Sequence, residues 1–337
     1  MSGVNGVSRS GFPNTAAAML AAGVVFLLVS CFDPVPAGED LAVVRTAAEG
    51  GAGEKEADVP VPPEARHLLP GSVASGGSAL SISEPAVVEV SGPIFTGNIG
   101  DDERTFCLLM LQDGIRFLSN ARDYSVLFRK QERIGGDLSD VHVIDMKVRE
   151  YPEFSVYMKW KNVDPGRQAL YSATYEDGKL VVKLGGLKGR LLPAIHLDPH
   201  GTEAMAESRH PITEAGILFL AKRLIDDRRK ELEQGISVKC TRLANTEVGE
   251  RPCFQFQFDF PDAKSNPEYR KSVVAIDSQY HIPLQVQNWT WAAADFSGTD
   301  EELQEQTLLE SYSFSGLNFG VKYAELEFSR ENPKYRM

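Results

Sequence analysis

The chain has 337 residues and a formal net charge of −12, with 42% hydrophobic and 24% charged residues, enough apolar material for a sizeable core. An acidic balance of that size repels phosphate backbones. No Lys/Arg block interleaved with aromatics offsets it, which argues against nucleic acid as a partner.

Residues 15–32, TAAAMLAAGVVFLLVSCF, form an apolar run preceded by the lone basic residue Arg9 and followed by small and acidic residues, the layout of a secretory signal. The run ends in Leu28-Val29-Ser30-Cys31, which resembles the bacterial lipobox, where a lipid-modified cysteine becomes the first residue of the mature protein. On that reading residues 1–31 are a signal and Cys31 is the lipidation site. The run is also just long enough for an uncleaved signal anchor. Both readings place the rest of the chain in the cell envelope, on the periplasmic side, meeting the membrane through its N-terminus.

Residues 32–100 are rich in Gly, Ala, Pro, Ser and Glu, and such a segment buries too little apolar surface to offset its ordering entropy. A flexible linker is expected there, with a short strand at PAVVEVSG as a candidate exception.

A folded domain is expected over residues 101–337. It opens with a helix in DDERTFCLLMLQDGIRFLSNA, where Phe106, Leu109, Met110, Ile115 and Phe117 fall at helical spacing behind an acidic first turn. Cys107 reads as a core residue of that helix. Alternating strands follow: Tyr124, Val126 and Phe128 share one face, then His142, Ile144, Met146 and Val148. In FSVYMKW, Phe154, Val156, Met158 and Trp160 share a face opposite Ser155, Tyr157 and Lys159. Further runs carry Ala169, Tyr171, Ala173 and Tyr175, then Leu180, Val182 and Leu184.

A second helix is expected in TEAGILFLAKRLIDDRRKEL, with Thr213 as its cap. Strands resume at SVKCTRL, RPCFQFQFDF, KSVVAIDSQ, IPLQVQNWTW and LLESYSFSGLNF. Phe254, Phe256, Phe258 and Phe260 make a continuous row that reads as core. Cys240 and Cys253 flank a hairpin-like stretch, and either a disulfide or two buried thiols fits. No strand–helix–strand rhythm is present, so the fold class is α+β: a strongly curved antiparallel sheet, a half-barrel, with helices covering its concave face.

Several motifs carry a resemblance. Lys130, Glu132 and Arg133 in FRKQERIGG, the strand FSVYMKW, GRQALY with Asp177-Gly178-Lys179-Leu180, the stretch LDPHGTEAMAESRHPITEAGI, and YSFSGLNFGV with ENPKY resemble the bacterial domain-of-unknown-function family 1571. That family is similar to the LolA, LolB and RseB lipoprotein-carrier fold. The resemblance implies a curved antiparallel sheet with a helical lid, a shape that holds acyl chains in the related carriers, and it implies no established activity.

Candidate sites follow. Phe154, Val156, Met158 and Trp160, with Tyr171 and Arg209, are the candidate ligand-binding residues of the concave face. Arg167, Asp198 and Arg209 fit either headgroup contacts or a polar network tying the lid loop to the sheet. His196, Asp198, His200, Glu203 and His210 have a spacing that could converge on zinc or manganese, the basis of a weaker reading as a metal-dependent hydrolase centred on Asp198. Glu132 and Asp145 are a candidate acid–base pair that spacing does not favour. No Gly-x-Ser-x-Gly elbow, His-Glu-x-x-His or phosphate-binding Gly loop occurs, and no catalytic residue, metal ligand or cofactor is assigned. The leading reading is a non-catalytic binding protein for a lipid or the acyl chain of an acylated protein. The alternative is an interaction or sensor module, with a protein partner in the envelope, whose concavity is filled.

Overall fold

The computed structural model describes residues 102–337. The signal, Cys31, the linker and the PAVVEVSG strand lie outside the described residues. Among the described residues no helix is long and apolar enough to cross a membrane.

Helix α1 spans Asp102–Ala121. A first meander follows: β1 Asp123–Ile134, β2 Asp137–Leu138, β3 His142–Arg149, β4 Ser155–Trp160, β5 Gln168–Ser172, β6 Leu180–Lys183 and, after the short helix α2 Gly186–Leu191, β7 Ile195–Leu197. One turn of helix, α3 Thr202–Met205, and the long helix α4 Ile217–Glu233 lead to a second meander: β8 Lys239–Arg242, β9 Thr246–Val248, β10 Arg251–Asp259, β11 Lys271–Asp277, β12 Pro283–Trp289 and, after helix α5 Asp300–Thr307, β13 Leu308–Asn318.

The strands form one antiparallel sheet in the order β7-β6-β5-β4-β3-β1-β13-β12-β11-β10-β8, with β2 on β1 and β9 on β10. Its two ends, β7 and β8, are not paired with each other, so the sheet is open and the expected α+β arrangement is the one found. Residues of β6 and β13 line a common cavity. Five strand spacings separate them, about 24 Å on a flat sheet at ~4.8 Å each, so the sheet curls around its inner face.

Period two explains that face. Tyr124, Val126, Ile144, Met146, Val148, Val156 and Met158 all turn inward and are buried with Leu118 of α1 and Ile217 and Leu218 of α4. Phe256, Phe258 and Phe260 form the core of the second meander with Cys107, Leu108, Met110 and Leu111 of α1 and Leu224 and Ile225 of α4. The buried side of α1 differs in part from the expected one: Met110 is buried and Ile115 and Phe117 pack on the core as expected, but Phe106 and Leu109 are exposed, while Leu108, Leu111 and Leu118 also point inward. Residues 106–111 are all apolar, so spacing alone does not choose a side. Gly114 lets α1 approach the β11–β12 turn, since a Cβ there would stand 2.2 Å from the His281 carbonyl oxygen.

Helix α4 also starts later than expected. Thr213 lies in a 3₁₀ turn, Ile212–Glu214, and the cap position is Gly216, whose φ of 104° suits glycine. A Cβ on Gly216 would meet the Tyr124 hydroxyl at 2.7 Å. That hydroxyl accepts from the Ile217 amide at 2.9 Å and donates to Glu150 Oε1 at 2.9 Å, so a buried tyrosine supplies the missing cap.

Cys240 pairs in register with Phe258, whereas Cys253 pairs with Asp277 and Thr246, so the hairpin does not set the two sulfurs opposite each other. The outer face of β4 is not open either. Residues 323–337 lie over it, with Tyr335 stacked on Tyr157 at 3.8 Å and Lys147 among the rings of Tyr157, Tyr323 and Tyr335. Arg149 pins the strap through Glu325 at 2.9 Å and the Tyr323 carbonyl.

Candidate functional site: an apolar cavity with a charged end

A cavity of about 170 Å³ opens between the first meander, with the adjoining strand β13, and the segment that precedes and starts α4. The sheet contributes Phe128, Ile144, Met158, Trp160, Leu180 and Phe314, placed inward by strand alternation. The lid contributes Pro199, Ala204, Pro211, Ile212, Ala215 and Phe219. Packing alone does not fill the space, because the chain from 198 to 216 has no continuous helix to lay a regular stripe of side chains over the strands.

At one end the lining becomes polar: Lys130, Glu132, His142, Arg167, Glu207, His210, Arg223 and Tyr312. Beside it lies a buried cluster built on two carboxylates. Glu132 of β1 and Glu310 of β13 are direct cross-strand partners, 2% and 0% exposed, an arrangement that repels unless countercharges are supplied. They are supplied by three elements. Lys130 Nζ donates to Glu132 at 3.0 Å, and Arg209 Nε from the lid donates to Glu310 at 2.9 Å. Arg223 of α4 reaches Glu310 at 3.2 Å, and His210 Nε2 stands 2.9 Å from the same carboxylate. Asn288 donates to Glu310 at 2.6 Å, and the Tyr312 hydroxyl lies between the two carboxylates, 2.5 Å from Glu132 and 3.2 Å from Glu310. Burial pushes the Glu310 carboxyl up, but His210, Arg223 and Asn288 outweigh it and hold the group well below the usual carboxylate range.

The same polar end is tied across by Arg167, which pairs with Glu207 at 2.6 Å and lies 5.0 Å from the Trp160 ring. Trp160 Nε1 donates to His142 Nδ1 at 3.0 Å. Burial, then Lys130 and Arg167, lower the His142 pKa. Arg167 Nε is buried without an acceptor in the protein.

The candidate ligand residues are distributed as follows. Met158 and Trp160 line the cavity. Val156 is fully buried next to it, in the packed part of the same face. Phe154 and Tyr171, 6.1 Å apart, pack on that core, with Phe154 against Phe219 of the lid helix at 5.5 Å. Arg209 is not in the lining; it ties the lid to β13 through Glu310 and to Glu268. Asp198 accepts from the His200 amide at 3.0 Å within its own turn.

The histidines of the metal reading diverge. His196 meets Glu176, His200 meets Thr213 and His210 meets Glu310, and among the described residues no group of His, Cys, Asp and Glu is arranged to hold an ion. Glu132 does not pair with Asp145, which sits near Lys161 at 3.6 Å. Its carboxylate partner across the strands is Glu310, a residue with no sequence motif of its own. The motif residues Lys130, Glu132, Arg209 and Tyr312, which carry the resemblance along the chain, meet in this cluster.

No curated protein matches the chain. Among solved structures it is similar to MucB, at 13% identity and TM-score 0.40, over 68% of this chain and 63% of that one. It is also similar to the lipoprotein LppX of Mycobacterium tuberculosis, at 11% identity and TM-score 0.36, over 65% and 99%. A LolA superfamily protein from Nitrosomonas europaea aligns at 9% identity and TM-score 0.27, over 66% and 97%. The chain thus spans less than two thirds of the MucB structure's length. Residues 121–337 match the family described as "Protein of unknown function (DUF1571)", and with well over half of its length in that match the chain belongs to this family.

Proposed function

We propose that this chain is a non-catalytic envelope protein whose cavity takes an apolar chain, that of a lipid or of an acylated protein. The observation that carries the reading is the cavity itself. Its sheet wall of Ile144, Met158, Trp160, Leu180 and Phe314 is apolar, and Lys130, Glu132, Arg167, Glu207 and Arg223 join one polar network in the lining, to which the lid adds Glu214. An apolar cavity of about this size stays dry and binds small apolar molecules. At about 170 Å³ it is below the ~300 Å³ of drug-sized sites. It therefore suits a terminal stretch of an acyl chain, and the 198–216 segment must yield to admit more. Arg167, which lines the cavity and pairs with Glu207 at 2.6 Å, is placed to meet the polar end of such an amphiphile.

The envelope address rests on the apolar run 15–32, with Cys31 as the lipid-modified residue. Replacing Cys31 with Ser releases the chain from membranes on this reading; unchanged association with an intact N-terminus points to a signal anchor instead.

Native mass spectrometry of the purified chain tests the ligand directly, with copurified lipid as the expected result. Uptake of a fluorescent fatty-acyl probe is the second measurement, with Met158→Gln as the cavity variant. A wild type that never takes up lipid or probe replaces this reading with the interaction or sensor module. That second reading draws on the small volume and on the packed core beside it.

A further inference from the structure

One corner of the sheet departs from the rest of the surface in two ways. Leu187 and Leu191, one turn apart on α2, are 74% and 83% exposed, and Leu192 and Ile195 beside them are each 43% exposed. Four large apolar side chains thus stand in solvent within nine residues. Such clusters mark contact sites, whereas singly scattered ones need no explanation. The charge there is also reversed. From residue 179 to 197 the sequence carries Lys179, Lys183, Lys188 and Arg190 and no acidic residue, in a chain of net charge −12; the carboxylates packed against this stretch are engaged, Asp164 with the Gly185 amide and Glu176 with His196 and Arg330.

The corner is placed to be used. Strand β7 is the sheet's edge, paired only with β6, and α2 joins these two strands. Leu180 and Val182 of β6 turn into the cavity, yet none of the four exposed residues lines it.

We infer that the α2–β7 corner is a docking surface for an anionic phospholipid bilayer. Leucines on a short helical turn enter the headgroup–acyl boundary, and the exposed Lys179 and Arg190 meet lipid phosphates. Charge complementarity selects this occupant. An acidic protein approaches an anionic membrane favourably only through a basic patch, and this stretch combines one with exposed leucines. The inference does not depend on what the cavity holds.

The test is hydrogen–deuterium exchange on the full chain added to vesicles of phosphatidylcholine, or of phosphatidylcholine with phosphatidylglycerol. The N-terminal run is common to both samples, so the local reading is unaffected by how the chain is anchored. Peptides covering residues 186–195 exchange about tenfold more slowly on the anionic vesicles. Leu187→Gln with Leu191→Gln abolishes that protection, and Lys179→Gln with Arg190→Gln reduces it; all four positions are exposed, so folding is spared. Equal exchange on both vesicle types overturns the proposal. So does protection that rises with protein concentration without vesicles, which would make the corner an interface between copies of this chain.

Discussion

The two meanders of the sheet present similar apolar rows to the helices, yet one row is filled and the other leaves a hollow. In the second meander Phe256, Phe258 and Phe260 lie under α1 and α4, with the Arg228 guanidinium 4.5 Å from the Phe258 ring, and the cavity between α4 and β11–β13 measures about 20 Å³. In the first, Ile144, Met158 and Trp160 lie under the irregular 198–216 segment and line the cavity. The strands do not decide this difference; the cover does. A continuous helix offers side chains at i, i+3 and i+4 that interdigitate with a strand row, whereas an irregular segment bridged by Arg167–Glu207 and Arg209–Glu310 stands off from it.

The largest expected effect comes from the filled half. Phe258→Ala removes a side chain that is 2% exposed. It should cost about 4 kcal/mol in denaturant unfolding, or roughly 10 °C in Tm. A loss under 1 kcal/mol would mean the second meander is as loosely covered as the first.

Next is the charged seam where the meanders join. Glu310→Gln leaves Arg209 and Arg223 without their buried countercharge and should cost about 3 kcal/mol at pH 7. Because the folded-state pKa of Glu310 is depressed, its contribution is present above the unfolded value and lost as pH falls. Wild-type stability should therefore decline below about pH 4.3, and the variant should lack that part of the decline.

The anchor of α4 behaves oppositely. Burial pushes the Glu150 carboxyl up to about 7, against hydrogen bonding from Tyr124 and the charge of Lys222. The folded state thus holds a proton that the unfolded state releases near pH 4.3, and stability falls as pH rises from there to about 7. Glu150→Gln should match wild type at pH 4 and exceed it by about 3–4 kcal/mol at pH 8. A variant no more stable than wild type at pH 8 would show that the carboxylate is accommodated in the fold.

The smallest effect on stability belongs to the hollow half. Met158→Gln, beside open space, should shift unfolding by less than ~1 kcal/mol while weakening acyl-probe uptake. Equal destabilisation by Met158→Gln and Phe258→Ala would erase the contrast between the halves.

The strands were legible because alternation survives on an inner face buried along its length: Tyr124 to Phe128, His142 to Val148 and Phe254 to Phe260 all read correctly. The face of α1 was legible only in part: Met110, Ile115 and Phe117 fall on the core side, but Phe106 and Leu109 do not, since residues 106–111 offer no polar side to exclude. The start of α4 was missed because its cap is a tyrosine hydroxyl from β1, which has no local signature. Helix α5 did have one: Thr299 and Glu302 form a reciprocal capping box, the Thr-x-x-Glu pattern visible in the sequence. Of the charged cluster, Lys130, Glu132 and Arg209 stood out as motif residues. Glu310 did not, because its role depends on a cross-strand register that only the folded sheet sets.

The β1–β13 ladder has a consequence for the order in which the molecule can be assembled. Every other long pairing joins strands close in sequence, but Phe128 must find Phe314, with both meanders and α4 between them. Closing so long a loop comes late, because its entropy is lost before the new contacts form. Until β13 is available, β1 presents one bare edge and Glu132 lacks the tyrosine that hydrogen-bonds it. Bare edges invite pairing with other chains. Arg129, Lys130, Glu132 and Arg133 on that strand are therefore also guards, keeping a half-made sheet from adopting a strand that is not its own.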